Sequence, residues 1–458
     1  MENTSPEPSS GPRARLRRLI ADPGWKRHVA LWAGAVAVAL VAIVFAKASD
    51  AAFGLFARAT AVSPWWALAI TPAMFALLSW ATTGRLRSAR GSGIPQVIAS
   101  LERPEPGYRE AQLSLRVSAG KLVLTVLALL GGASVGREGP TVHVGAGIMH
   151  TLGRRLGFGD EYQASRFLLA GGAAGIAAAF NAPLAGVVFA IEELSGTYQH
   201  RFSGALLTAV IIGGVVSLGI LGDYAYFGHV TARLPLGQGW LAVALCGVVC
   251  GLLGGLFART VVAAMDGRPR WLGRLRGRSP ILFAAACGVL LALLGIGAGP
   301  GTFGTGYEQA RELLQGGAVE AVGHDYGVVK FAANLLSYLA GIPGGLFSPA
   351  LAVGAGVGHN LSVLLPAVDP RAMVLLGMTA YLAGVTQAPL TSAVIAIELT
   401  DNHALLLPIL AVVLVARGAS ALVCKVPIYK ALAQRLVPTA ETPHPPAAAE
   451  PAPVPPRT

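Results

Sequence analysis

The chain has 458 residues, of which 54% are hydrophobic and only 13% charged, and its mean hydropathy is +0.60. A soluble domain carries about a quarter of its residues as charges, so this composition excludes a soluble enzyme or binding module and points to an all-α polytopic membrane protein embedded in a lipid bilayer. The net charge of +12 does not make a nucleic-acid footprint, because the Arg and Lys residues sit in short runs between apolar segments.

The first stretch, residues 1–28, reads as a basic cytoplasmic arm: Arg13, Arg15, Arg17 and Arg18 follow Ser9-Ser10-Gly11-Pro12. It lacks the short apolar core and small-residue cleavage site of a signal peptide and is expected to lie on the headgroups. A transmembrane domain is expected over 29–436, with a first repeat at about 29–225 and a second at about 238–436. The Pro- and Ala-rich tail, 437–458, is expected to be disordered and cytoplasmic. Apolar stretches such as Leu31 to Phe45, Trp65 to Trp80 and Leu405 to Val415 are near or below the ~20 residues of a simple span. Many helices must therefore be tilted, short or re-entrant. The runs Arg13 to Arg27, Arg85 to Arg90, Arg103 to Arg116 and Arg268 to Arg278 mark the cytoplasmic face.

Next comes Gly91-Ser92-Gly93-Ile94-Pro95, a helix start in which Ser92 either caps the helix or offers its hydroxyl to a ligand. Downstream, Gly136-Arg137-Glu138-Gly139-Pro140 puts an ionisable pair into glycine-rich apolar chain, where charge is costly. The frame recurs 209 positions later as Gly345-Leu346-Phe347-Ser348-Pro349 (136 against 345). Gly145, Ala146, Gly147 and His150 likewise meet Gly354, Ala355, Gly356 and His359 without a gap. Both copies read as helix N-termini, whose free N–H groups and dipole favour an anion. Two such ends from related halves suggest an anion site at the repeat interface. Lys121 and Lys330 obey the same offset; such lysines are expected to tie down backbone carbonyls or a carboxylate.

A further echo sets Asn181-Ala182-Pro183-Leu184 against Gln387-Ala388-Pro389-Leu390, an offset of 206 (183 against 389). It pairs Glu192 with Glu398, but Glu193 meets Leu399, just as Glu138 meets Phe347. A residue shared by both copies serves the common scaffold, whereas a carboxylate present in one copy only is the better candidate for chemistry, which selects Glu138 and Glu193. The last helix start, Lys425-Val426-Pro427-Ile428-Tyr429, carries a tyrosine that its local sequence would place in the interfacial belt. Cys246, Cys250, Cys287 and Cys424 stand in or beside apolar segments without a histidine cluster, so no disulfide, metal or cofactor is expected.

The ordered set of Gly91-Ser92-Gly93-Ile94-Pro95, Gly136-Arg137-Glu138-Gly139-Pro140, Gly345-Leu346-Phe347-Ser348-Pro349 and Tyr429 resembles the CLC family of chloride channels and chloride/proton antiporters, over roughly Trp25 to Leu436. The resemblance implies a homodimer whose subunits each hold an anion pathway between two inverted halves. It makes Ser92 and Tyr429 the hydroxyl donors to the anion, completed by the N–H groups of Leu346 and Phe347. It makes Glu138 the external gate and proton carrier and Glu193 the inner proton acceptor. Ser92, in place of the proline of nitrate-preferring relatives, favours chloride. Gln96 and Ile98 stand where some bacterial antiporters of the family carry acids, and the tail is too short for the paired cytoplasmic domains of animal and plant members.

Three readings follow. The first is a chloride/proton antiporter of a bacterial inner membrane, with chloride and protons as its substrates. The second is a passive channel with the same pore, differing in whether Glu193 exchanges protons. The third is an intramembrane enzyme using Glu138 with His143 or His150; it lacks a nucleophile and a metal-ligand set, so the protein is not expected to be an enzyme.

Overall fold

The computed structural model describes residues 23–84, 86–158, 160–195, 204–222, 225–235, 237–316 and 323–437, so most of the basic arm and nearly all of the tail lie outside the described residues. The first half contains α1 (Pro23–Val62), α2 (Trp66–Thr83), α3 (Ile94–Glu102), α4 (Pro106–Leu113), α5 (Leu115–Leu130), α6 (Glu138–Arg155), α7 (Glu161–Phe180), α8 (Pro183–Phe189) and α9 (Gly204–Leu221), with a π-helical turn at Ala190–Leu194. The second contains α10 (Gln238–Met265), α11 (Arg270–Arg278), α12 (Pro280–Ala298), α13 (Tyr307–Gln315), α14 (Tyr326–Leu339), α15 (Phe347–Ser362), α16 (Pro370–Thr386), α17 (Pro389–Thr400), α18 (Leu406–Val423) and α19 (Ile428–Gln434). Helix lengths run from the 40 residues of α1 to the 7 of α8 and α19. At 1.5 Å per residue the 9-residue α3 covers about 14 Å, roughly half a bilayer core. Short and re-entrant helices thus accompany the spanning ones, as the interrupted apolar stretches require.

The halves repeat each other in packing as well as in order. α6 crosses α7 where a Cβ on Gly145 would stand 2.2 Å from the carbonyl oxygen of Gly171, and α15 crosses α16 where a Cβ on Gly354 would stand 2.4 Å from that of Gly377. Only glycine permits backbones that close. α7 and α16 also end alike, with Asn181 (φ 54) and Gln387 (φ 60) both left-handed. Gln387 is held there by hydrogen bonds from its Nε2 to the Cys424 carbonyl at 2.6 Å and to Ser420 Oγ at 3.2 Å. Relative to the basic face the halves are inverted. α1 begins beside Lys26 and Arg27, whereas its counterpart α10 ends just before Arg268 and Arg270, so the two cross the bilayer in opposite senses.

Two reciprocal contacts join the halves. Gly136 and Gly345, equivalent in the repeat, form an isolated antiparallel bridge: the Gly136 N–H donates to the Gly345 carbonyl at 2.8 Å, and the Gly345 N–H donates back at 2.7 Å. Reciprocal bonds between equivalent residues require a local two-fold axis between them. Further along, the Glu192 carboxylate accepts from the N–H groups of Leu390 and Thr391 at the start of α17 (3.2 and 2.6 Å). Glu398 accepts from Leu184 and Ala185 at the start of α8 (2.9 and 2.6 Å). Each half thus caps a helix of the other, with a negative group on the positive end of the dipole.

The duplicated lysines are structural ties. Lys121 Nζ donates to the Gly91 carbonyl at 2.9 Å and to that of Arg90 at 3.3 Å; Lys330 Nζ donates to the carbonyls of Thr302, Phe303 and Gly304 at 2.8 to 3.1 Å. Each fixes the loop that leads into a helix start, α3 or α13. The cysteines are all free and buried, in agreement with a packing role.

The reciprocal caps generate a prediction. Glu192→Gln or Glu398→Gln replaces one carboxylate oxygen by an NH2 that cannot accept from the helix start, and each should cost about 1 to 3 kcal/mol of stability. Thermal unfolding of the detergent-solubilised protein should show a lowered midpoint for both variants; midpoints unchanged in both would contradict the capping role.

Candidate functional site

Four helix starts meet in the interior. α3 is introduced by Gly91 (φ 66) and Gly93 (φ 105), which leave Ser92 between them only 1% exposed. A Cβ on Gly139 would stand 2.2 Å from Ser92 Oγ, so the start of α6 lies directly against that hydroxyl. The start of α6 is bonded in turn to that of α15 through the Gly136–Gly345 bridge. Phe347, the first residue of α15, stacks on Tyr429 in the first turn of α19 with ring centroids 6.1 Å apart. Leu346 and Phe347 are buried at 0% and 1%. Their N–H groups precede the first helical bond, and among the described residues they make no backbone hydrogen bond.

Tyr429 is wholly buried rather than interfacial, which corrects the expectation from its local sequence. Its hydroxyl approaches Ser92 and senses the charges of both Glu193 and Glu138. Yet neither the Ser92 nor the Tyr429 hydroxyl makes a hydrogen bond within the protein among the described residues. Two buried hydroxyls left without a protein partner are costly unless a ligand or water serves them.

Glu138, 1% exposed, folds back over the bridge. Its Oε1 accepts a hydrogen bond from Ser348 Oγ in the first turn of α15, and its Oε2, unpartnered among the described residues, lies over Gly136 and Gly345. The carboxylate therefore sits between two helix N-termini, the electrostatic environment that a small anion would also seek. Its neighbour Arg137 turns away, donating to Asp50 Oδ1 at 2.7 Å and the Ala46 carbonyl at 3.1 Å. The two histidines do not accompany Glu138. His143 Nε2 is bonded to the Gln112 carbonyl at 2.9 Å, and His150 lies 3.6 Å from Glu110.

Glu193 and Glu192 separate cleanly. They occupy the π-helical turn closed by the Ser195 N–H to Ala190 carbonyl bond of 3.0 Å. Glu192 is committed to α17, whereas Glu193 is half-buried and near enough to Tyr429 to act on it electrostatically. Gln96, one of the departures noted above, spends its amide on the carbonyls of Arg90 (2.7 Å) and Ser88 (3.2 Å). A cavity of about 320 Å³ reaches Ser92 from the basic face, lined among others by Arg87, Arg90, Arg276 and Arg435. Such a wall raises the local concentration of anions.

Two further residues, Ser348 and Tyr226, and one further repeated helix start emerge from the structure. Ser348 was visible only as part of a frame, and Tyr226, in the loop between α9 and α10, was not singled out. Thr305 is the counterpart of Ser92: Gly304-Thr305-Gly306 opens α13 with the same left-handed glycines, φ 67 and 77, as Gly91 and Gly93. This third repeated start was legible as a Gly-Ser/Thr-Gly pattern.

A chain of this kind, with spanning and half-length helices in two inverted halves and four helix starts at the centre, is a polytopic membrane transport protein. Residues 74–421 match the family described as voltage gated chloride channel, and the chain belongs to that CLC family of anion transporters and channels. It is similar to a slow cyanobacterial Cl⁻/H⁺ antiporter (24% identity, 89% of this chain and 97% of that one, TM-score 0.77). It is also similar to a eukaryotic CLC transporter (26%, 92% and 74%, TM-score 0.74) and to a CLC-type fluoride/proton antiporter (22%, 89% and 97%, TM-score 0.74).

If the hydroxyls and helix starts form one anion site, bromide-soaked crystals should show anomalous density about 3 to 3.5 Å from Ser92 Oγ and the Tyr429 hydroxyl. Ser92→Ala should weaken halide binding by about tenfold, the loss of one hydrogen bond to a charge, as read by isothermal titration. Density confined to other places would remove these residues from the site.

Proposed function

We propose that the protein exchanges chloride for protons across the membrane, with Glu138 as external gate and Glu193 as inner proton acceptor. The observation that carries this reading is the Glu138 carboxylate seated where the starts of α6 and α15 meet, with the buried Ser92 and Tyr429 hydroxyls lacking a protein partner among the described residues at the neighbouring helix starts. The anion would be held by Ser92, Tyr429 and the N–H groups of Leu346 and Phe347, which replace hydration without a full positive charge. The ionised Glu138 carboxylate competes for the same helix-end field. When protonated it loses that attraction and leaves, so one side chain is both barrier and proton carrier. Glu193, half-buried and free of the capping duty of Glu192, would pass protons to and from the basic face. The antiporters among the similar structures support this choice over the passive channel. The channel remains the second reading and differs only in whether Glu193 exchanges protons.

The protein would work as a homodimer in the inner membrane of a bacterium, with chloride and protons as substrates. The outward faces of α8, α9 and α18 are apolar, with Leu184 64%, Val215 60% and Leu407 68% exposed, which suits a subunit interface or lipid.

Reconstituted vesicles with a chloride gradient and recorded external pH provide the test. Wild-type protein should drive protons uphill. Glu138→Gln should keep anion flux but make it pH-insensitive and uncoupled, and a normally folded Glu138→Gln protein that still pumps protons rules out the gate. Glu193→Gln should abolish proton movement while anion flux persists; full coupling in that variant would mean that protons enter by another route.

A further inference from the structure

The Glu138 carboxylate does not rest on backbone alone. Ser348 Oγ, 3% exposed, donates to its Oε1, and Ser348 belongs to the opposite half, where the repeat has Gly139 in the first half. A second hydroxyl arrives from outside. The loop 225–235 is strapped to the end of α17 by the Phe227 N–H to the Leu399 carbonyl (2.8 Å) and the Val230 N–H to the Thr400 carbonyl (3.0 Å). Asn402 Nδ2 adds bonds to the carbonyls of Val230 (2.8 Å) and Ala232 (3.1 Å). Within this loop Tyr226 is clamped: its carbonyl accepts from the Tyr307 hydroxyl at 2.7 Å, and its ring meets those of Phe180 and Tyr307 at 5.7 and 4.6 Å. The phenol so held lies beside Ser348 and within the fields of Glu138 and Arg137.

We propose that the Ser348 hydroxyl forms a seat that holds the Glu138 carboxylate in its closed position, with Tyr226 packed behind Ser348, and so sets the pH at which the gate opens. The proposal rests on the gating role of Glu138. Both are positioning residues, acting on the gate rather than on the transported ion. Burial pushes the Tyr226 phenol up from its ordinary range, so it adds no charge beside Ser348 at any pH of transport. Donors to a carboxylate favour its ionised form. Removing one leaves the ionised, seated gate less stable, and opening by protonation then requires fewer protons. The other titratable groups that reach Glu138 are Arg137, held by Asp50 of α1, and Tyr429 of α19; both are retained in the variants below.

Anion efflux from reconstituted vesicles, measured against pH, should have its midpoint raised by about one unit in Ser348→Ala, a tenfold shift in proton concentration for the lost donor, and in the same direction but by less in Tyr226→Phe, which acts through Ser348. Ser348→Thr, which keeps the hydroxyl, should restore the wild-type midpoint. Tyr226→Phe keeps the ring contacts and serves as the second probe should Ser348→Ala fold poorly. In a Glu138→Gln background neither substitution should alter the pH profile, a result that a merely structural role would not give. Unchanged midpoints in both variants, with Glu138→Gln still uncoupling transport, would overturn the seat and leave the gate standing. Persistence of proton pumping in Glu138→Gln would overturn the gate itself.

Discussion

The pair of hydrogen bonds between Gly136 and Gly345 is the constraint on which the rest of the molecule depends. It brings the starts of α6 and α15 together in the protein interior, far from the water that normally satisfies helix ends. A side chain at either position would have to displace its neighbours. A Cβ on Gly136 would stand 2.2 Å from the Glu138 carboxylate, and one on Gly345 would come within 3.0 Å of the Gly139 nitrogen. With two dipole ends sharing one small volume, a negative group becomes favourable where a buried charge would ordinarily be expensive. Either the Glu138 carboxylate or an anion meets that demand, and this equivalence is the physical basis of the gate proposed for Glu138.

Function then comes from small departures from the two-fold. The scaffold terms are symmetric: Glu192 with Glu398, Lys121 with Lys330, and Gly145 against Gly171 with Gly354 against Gly377. The chemical terms are not. At the bridge the first half supplies an acid, Glu138, where the second has Phe347, and the second supplies a hydroxyl, Ser348, where the first has Gly139. The acid of one half is thereby bonded to the hydroxyl of the other, so the asymmetric residues complement each other across the axis. Phe347 in turn provides the aromatic face on which Tyr429 stacks. The duplicated framework repeats its ties in both halves, while the single-copy residues Glu138, Glu193 and Ser348 break the two-fold.

Much of this was legible in the chain. The constant offset between the Gly and Pro frames located the starts of α6 and α15, and Pro95 and Pro427 marked those of α3 and α19, because glycine and proline act through local backbone geometry. The distinction between Glu192 and Glu193 followed from the repeat alone. What stayed hidden depends on distance along the chain. Ser348 meets Glu138 across 210 positions, and nothing in its own frame names a partner. Tyr226 lies in a loop whose course is set by hydrogen bonds to residues 399 to 402, so its place beside Phe180 and Tyr307 is a tertiary fact. Tyr429 looks interfacial by sequence because a tyrosine near a chain end says nothing about re-entry. The inversion was concealed for a related reason: an apolar helix reads alike in both directions, and only the basic runs at its ends orient it.

The divergence of the two adjacent glutamates also has a local cause. In an α-helix, consecutive side chains point about 100° apart, which already prevents both acids from capping the same helix. In the first half the turn widens to a π-turn at Ala190–Leu194, whereas the second half continues as regular α-helix through Glu398 and Leu399. Leu399 is buried at 1% and its carbonyl receives the loop that carries Tyr226, so that side is closed by packing. Glu193, by contrast, is half-buried among the described residues and near enough to Tyr429 to act on it electrostatically. A wide turn in one half and a regular turn in the other thus converts a symmetric pair of helix caps into one cap that also presents an acid. The same loop that packs against the end of α17 also places the Tyr226 ring against Phe180 and Tyr307, so one loop touches both halves.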